Sequence, residues 1–429
     1  MVLIEIESEA STASSEKVTY EETGKGFHAS SLFTSILNLI KNLIGASLLA
    51  MPYGTSISGV FPSILMCLLV GCLSAFTFGL IGILCGETKS HSYRQVCERI
   101  LGRRSGIIVD AILALYALPC CIGYGVFTCD CMRVMLVEIF PEARDEFYTS
   151  RAFIGIVLTI GVLLPLCSMR TLNSLTFTSV LGLGAILYCY IFVSMDLANH
   201  SDLITVNLAQ HMWAPPSGSI FALFPIANIY SSCFLVHYNS SKFFYELKNP
   251  TPRRVVIMSY VSTLTVMIFC GSFAVMGFAR FGEATPGNLL KGYSSAYAVW
   301  IATTIAMITT YPFDFDAGRR SLVSMVTDLR PWITEDRAFW VSTFVLIPLF
   351  SLISVLVDNL SIIVGMNGSL FGITVGFTIP GLLLFRKTQS DIAKGVSTSK
   401  TGVLFGLGIA AFGVMMSTLG FVSLFVKFG

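Results

Sequence analysis

The chain has 429 residues, 54% of them hydrophobic and 12% charged, against about 25% charged in an average soluble protein. That is too little charge to coat a surface of this size with water-facing groups, so most of the surface must face a bilayer. The net charge of +2 leaves no footprint for nucleic acid.

In chain order, residues 1–27 carry six Glu, two Lys and many Ser and Thr. They read as a disordered cytosolic tail with no cleavable signal peptide. Eleven apolar runs follow, at roughly 32–57, 62–85, 107–129, 152–167, 175–195, 220–237, 255–279, 296–313, 338–357, 360–385 and 402–426. At about 1.5 Å per residue, a 25-residue run such as 255–279 crosses a tilted hydrocarbon core. With the N-terminus inside, the inner loops hold three times as many Lys and Arg as the outer ones, so the positive-inside rule places the N-terminus in the cytosol and the C-terminus outside. Asn199-His200-Ser201 is then a glycosylation sequon in an outer loop, 196–219. The twelve cysteines fall mostly inside apolar runs and read as buried free thiols, with neither a disulfide framework nor a metal site.

Two runs are interrupted by residues that a lipid-facing helix would not use. NLIKNLIGASLLAMPYG, 38–54, carries Asn38, Lys41, Asn42, Gly45-Ala46-Ser47 and Pro52. IANIYSSCFLVHYNSSKFFYEL, 226–247, carries Ser231, Ser232, Cys233, His237, Tyr238, Asn239, Ser240 and Ser241. Unpaired backbone is costly in hydrocarbon, so broken helices occur only where they line a cavity or are buried in protein. Transporters use such breaks to bind substrates and ions, and a matched pair in two halves points to the site. The breaks fall in the first and sixth runs. They imply an all-α membrane protein of eleven transmembrane helices. Its inverted five-plus-five repeat has broken helices 1 and 6, and one extra C-terminal helix follows. The divisions are 28–195 for helices 1–5, 196–219 for the outer loop, 220–386 for helices 6–10, and 387–429 for an inner loop and helix 11. A plainer use of Gly45-Ala46-Ser47 is a close helix-packing face.

These residues resemble the amino acid/auxin permease family. The first run is similar in its Asn38, Gly45-Ala46-Ser47, Leu48-Leu49 and Pro52, and Lys41 looks like the proton-coupled branch. Phe234, Leu235, His237, Glu246 and Leu247 look like the sodium-coupled neutral amino acid branch. Thr309-Thr310-Tyr311-Pro312 followed by Arg319 is similar to the family's eighth-span exit, and Val357-Asp358 to a Val-Pro-Asp turn without its proline. Ala46-Ser47 and Lys242 depart from the family's usual residues.

The resemblance implies a secondary active transporter that moves amino acids by alternating access, coupled to H+ or Na+, with no other cofactor. Backbone N–H groups of Ala46, Ser47 and Leu48 would meet the substrate carboxylate, and glycine at 45 would permit close approach. Carbonyls near Asn42, Cys233 and Phe234 would take the ammonium, with Ser232 nearby. Tyr124 and Phe234 would line the side-chain pocket. Sodium-coupled relatives hold the ion with first-span carbonyls and eighth-span hydroxyls, for which Thr309 and Thr310 are the counterparts. Lys41 and His237 are the other ion-coupling candidates. A lysine within a span costs about 2.5–3.5 kcal/mol on insertion scales, so Lys41 either faces a cavity or snorkels to the inner interface. Asp314 and Asp316 are either gate partners or solvated end charges. The partners are a small amino acid and the lipid bilayer. The membrane is the plasma membrane or an endomembrane such as the vacuole or lysosome. An amino acid sensor on a transporter scaffold, or a carrier of another small organic solute, remains the alternative. No zinc-protease, intramembrane aspartate or phosphate-loop motif indicates an enzyme.

Overall fold

The computed structural model describes residues 30–144, 146–169, 176–200, 208, 211–213, 215, 217–293, 296–330, 332–356, 367–396 and 400–424. The tail 1–27, most of the 201–210 stretch with the sequon's Ser201, and the Val357-Asp358 turn lie outside the described residues. Within them the chain is helical, with one isolated bridge between Ser30 and Leu247 and no strand.

A chain in hydrocarbon must pair its backbone groups within each segment, and helices do so. Helix α1 (Leu32–Leu43) starts at Ser31, whose side chain accepts the Thr34 N–H. A 3-10 turn, Ala46–Ala50, leads into α2 (Met51–Ser58). Then come α3 (Val60–Glu87), a short α4 (Tyr93–Leu101), α5 (Arg103–Ile139), α6 (Arg151–Cys167) and α7 (Thr176–Asn199). The second half holds α8 (Leu223–Cys233), α9 (Ser240–Glu246), α10 (Pro252–Phe281), α11 (Tyr297–Leu329), α12 (Glu335–Leu356), α13 (Asn367–Ala393) and α14 (Thr401–Ser423).

Eight helical segments among the described residues are long and apolar enough to span, or nine when α1 and α2 count as one bent span. That is fewer than the eleven expected. The 17-residue stretch α6 is short. Helix α11 is diluted by Thr303, Thr304, Thr309 and Thr310 and by Asp314, Asp316, Arg319 and Arg320. It nevertheless runs past the predicted end at 313 to Leu329, because those charges are paired inside the protein. Helix α11 packs along α5 and α7, and α10 packs along α3 and α1. The loop expected after the second run contains α4, capped by Ser92. Cys97, expected in that loop, is buried in α4, and all twelve cysteines are free thiols.

Candidate functional site

The first break lies between α1 and α2, which are bent by 51°. Ile44 (φ −85°, ψ 102°) and Gly45 (φ −119°, ψ −160°) are extended rather than helical. Glycine keeps the approach close there, since a Cβ on Gly45 would stand 3.1 Å from the Tyr124 hydroxyl of α5, which would have to give way by a few tenths of an ångström. Pro52 sits in the first turn of α2, where its missing N–H costs least. It presses on Gly277 of α10, where a Cβ would stand 2.5 Å from the proline ring.

The second break spans Phe234 to Val236, between α8 and a 3-10 turn, His237–Asn239, that leads into α9. The two breaks meet. The Cys233 thiol donates to the Leu43 carbonyl at 3.4 Å, and Asn239 Nδ2 donates to Asn42 Oδ1 at 3.3 Å. Ser74 Oγ of α3 donates to the Phe234 carbonyl at 2.6 Å. Carbonyls freed by a break are thus taken by side chains, as backbone away from water requires. At the far ends of α1 and α9, Ser30 N–H donates to Glu246 O at 2.7 Å and Lys248 N–H to Ser30 O at 2.9 Å, clamping these two half-helices together.

Lys41 is 1% exposed. Its ammonium donates to Thr310 Oγ1 of α11 at 2.6 Å, so it lies inside the bundle and does not snorkel. Gly182 of α7 makes the room: a Cβ there would stand 2.2 Å from Thr309 Oγ1 and 2.4 Å from Lys41 Cε. One turn along α11, buried Asp314 accepts from the Tyr238 hydroxyl and lies beside the Tyr124 hydroxyl, within electrostatic reach of Lys41. Asp316 is half-buried, with 13% of its side chain exposed, and it is paired rather than left to solvent. Lys242 Nζ of α9 reaches it at 2.6 Å, and Arg319 and Arg320 of its own helix at 2.9 and 3.2 Å. Arg319, 1% exposed, also donates to Cys167 O and Thr343 Oγ1 and lies 3.9 Å from the Phe339 ring centre.

The structure thus gathers Lys41, Thr309 and Thr310 in one place, and Asn42, Gly45, Cys233 and Tyr124 around the meeting breaks. Leu48 is buried, with its N–H on Gly45 O at 3.2 Å, while Ser47 is half-buried at the start of the 3-10 turn. Ala46 contributes backbone to that turn. Ser232 faces α13, where a Cβ on Gly368 would stand 2.6 Å from its hydroxyl. The Phe234 ring stacks on Tyr230 with centres 6.1 Å apart and abuts Gly71 of α3. Its contribution to the break is backbone. His237 is fully buried and pairs through Nε2 with Thr77 of α3 at 2.8 Å. It lies against Phe78 and Phe377, not with Lys41. Sequence reasoning passed over Gly182 and Tyr238. No pattern marks Gly182 among 36 glycines. The polar patch 231–241 did contain Tyr238, without a sign of which hydroxyl meets Asp314.

Comparison with known proteins bears on the family and the fold. The chain is 22% identical over 402 residues to Amino acid transporter AVT6E of Arabidopsis thaliana, covering 89% of this chain and 81% of that protein. It is 24% identical over 297 residues to Vacuolar amino acid transporter 2 of Saccharomyces cerevisiae, covering 66% and 60%. The crystal structure of MhsT in complex with L-phenylalanine superposes with a TM-score of 0.60 at 12% identity, covering 94% of this chain and all of that one. That likeness concerns the fold alone. The profile described as transmembrane amino acid transporter protein matches residues 28–426, and the chain belongs to that family.

Proposed function

We propose that the protein is a secondary transporter that carries amino acids by alternating access and is coupled to protons through Lys41. The observation that supports it most is the Lys41–Thr310 contact. In the sodium-coupled branch, first-span carbonyls and eighth-span hydroxyls hold the ion. Here an ammonium on the first span occupies the eighth-span hydroxyl at 2.6 Å. A built-in cation leaves no vacancy for sodium beside Thr310. A lysine can also gain and lose a proton, so its charge can change with the transport step.

The substrate sits between the two breaks. With the Leu48 N–H held by Gly45 O, its carboxylate meets the N–H groups of Ala46 and Ser47, which no side chain caps. Its ammonium meets the carbonyls around Asn42 and Cys233. Its side chain extends toward Tyr124. The end that carries Arg94, Lys242 and Arg320 faces the cytosol by the positive-inside rule.

Proteoliposomes holding the full-length protein test this reading. Uptake of a labelled amino acid mixture is measured under an imposed proton gradient, a sodium gradient, or neither. A proton gradient should drive accumulation, and sodium should add nothing beyond a potassium control. Accumulation driven by sodium alone would sink the role given to Lys41. No uptake under any gradient, by protein shown to be folded, would sink the transporter reading.

A further inference from the structure

A polar cavity of about 80 Å3 lies between α4, α5, α9 and α11, on the basic end of the bundle. At about 15 Å3 per water it holds several waters or one small amino acid. Arg94, Asp110, Tyr238, Ser241, Arg320 and Ser321 line it. Its floor is α4, which lies outside the spans. There Arg94 reaches Glu98 and Asp110 at 2.8 and 2.9 Å and also bonds Asp328 and Ser324. Burial works against the Arg94 charge, but these carboxylates outweigh it and raise the group above its ordinary value. The floor is therefore pinned to α5 and α11 by a permanent cation.

The roof is Tyr238. Its ring lines the cavity while its hydroxyl donates to Asp314. Asp314 lies beside the Tyr124 hydroxyl, which is the group nearest Gly45 at the first break. A single tyrosine layer therefore separates the cavity from the meeting breaks.

Arg320 enters from the side. Its Nε reaches Asp316 and its Nη2 donates to Asn239 at 3.0 Å. Its Nη1 has no partner among the described residues, and the side chain is 40% exposed. A guanidinium with an open donor, in a cavity also lined by Ser241 and Ser321, fits a carboxylate. Asp110, which also lines the cavity, is bonded to Arg94 through one oxygen and has acceptor capacity left for an ammonium. One small zwitterion matches both ends. A large apolar solute matches neither.

We propose that this cavity is a second amino acid site, the station on the cytosolic side of the broken-helix site, where Arg320 receives the substrate carboxylate. Tyr238 is the door between the two stations. The inference rests on the transporter reading for its ligand, and its test reads a different site.

The test is thiol accessibility. Ser321→Cys is placed in the full-length protein in inside-out vesicles. A membrane-impermeant methanethiosulfonate is applied on the cytosolic face, with the parent protein as background. Ser321→Cys should label faster than the parent. A mixture of alanine, serine and glutamine at about ten times its Kd should slow labelling roughly tenfold. Sodium chloride of equal ionic strength should not. The protection should persist when Gly45→Leu blocks the broken-helix site, and it should vanish with Arg320→Gln in protein that keeps its elution profile. Labelling no faster than the parent would show that the cavity is closed to the cytosol and overturn the proposal. So would labelling without protection, equal protection by chloride, or protection lost in Gly45→Leu. Protection that holds in a protein without gradient-driven uptake would retain this site and sink the transporter reading alone.

Discussion

Two charged groups, the buried Lys41 and the half-buried Asp316, are held against α11 and on it within about two helical turns of each other. At Thr310, Lys41 meets a neutral hydroxyl and forms no ion pair among the described residues. At Asp316, one carboxylate is held by Lys242, Arg319 and Arg320, on α9 and on α11 itself. An ammonium with no direct ion pair, whose nearest opposite charge is Asp314 one turn along α11, keeps much of its desolvation cost, so its protonation and position respond to small changes around it. A carboxylate with three cationic partners has that cost offset and is expensive to disturb. The same helix thus carries a poised charge toward the breaks and a fixed latch toward the basic end. The latch joins α9 to α11, and Arg320 extends it through Asn239 to Asn42 at the first break. In the proposed transport cycle, opening on that side undoes it.

The contrast can be broken at either place. The largest effect is expected from Gly45→Leu. A side chain there meets the Tyr124 hydroxyl at the start of its first bond, so uptake should be abolished while membrane insertion and the chromatographic profile stay normal. Normal uptake would mean that the break is only a packing face. Asp316→Asn should come next. Losing the carboxylate leaves three cations together, and because Asp316 is 13% and Arg320 40% exposed, solvent screening keeps the cost below the about 3–5 kcal/mol of a fully buried pair. The thermal midpoint in detergent should fall by several degrees, and Ser321→Cys should become more reactive from the cytosolic side. An unchanged midpoint would show that Asp316 is no latch.

Gly182→Val should have a smaller and more selective effect. Its side chain must displace Lys41 and Thr309, whose atoms stand 2.4 and 2.2 Å from the Cβ position. Proton-driven accumulation should drop, with the fold retained because α7 meets lipid elsewhere. Lys41→Met keeps the length and removes the charge. Stability should hold or rise, since an apolar replacement of a buried charge is often neutral or favourable. The pH dependence of uptake should flatten, and an unchanged pH profile would remove Lys41 from coupling. The smallest effect belongs to Thr310→Val, which loses one hydrogen bond to a charged group, about 1.5–3 kcal/mol. It should shift the pH profile without abolishing uptake.

Much of this was legible in the sequence because the bilayer is a simple solvent. Apolar runs had to be helices, and two runs with misplaced Gly, Asn and Ser had to be broken where protein or a cavity covers them. Gly45 and the stretch after Cys233 were found on that ground alone. Helix α11 was harder. Its apolar run ends near Phe313, yet the helix continues to Leu329. The partners of Asp314, Asp316 and Arg319 come from the His237–Asn239 turn, α9, α6, α12 and the helix's own next turn. Likewise the sequence left Lys41 divided between cavity and interface, since nothing local tells the two apart.

The sequence by itself determined that this chain lives in a membrane, that it is helical, and that its first and sixth runs are interrupted. Composition and period suffice for these, because each segment must satisfy its own backbone. Only the tertiary structure decided that the two breaks touch through Cys233 and Leu43, that Gly182 makes room for Lys41 on Thr310, and that Tyr238 separates the breaks from a polar cavity. Those contacts join residues between 76 and 269 positions apart, and side-chain meetings at that range follow from how the helices pack, which no local pattern encodes.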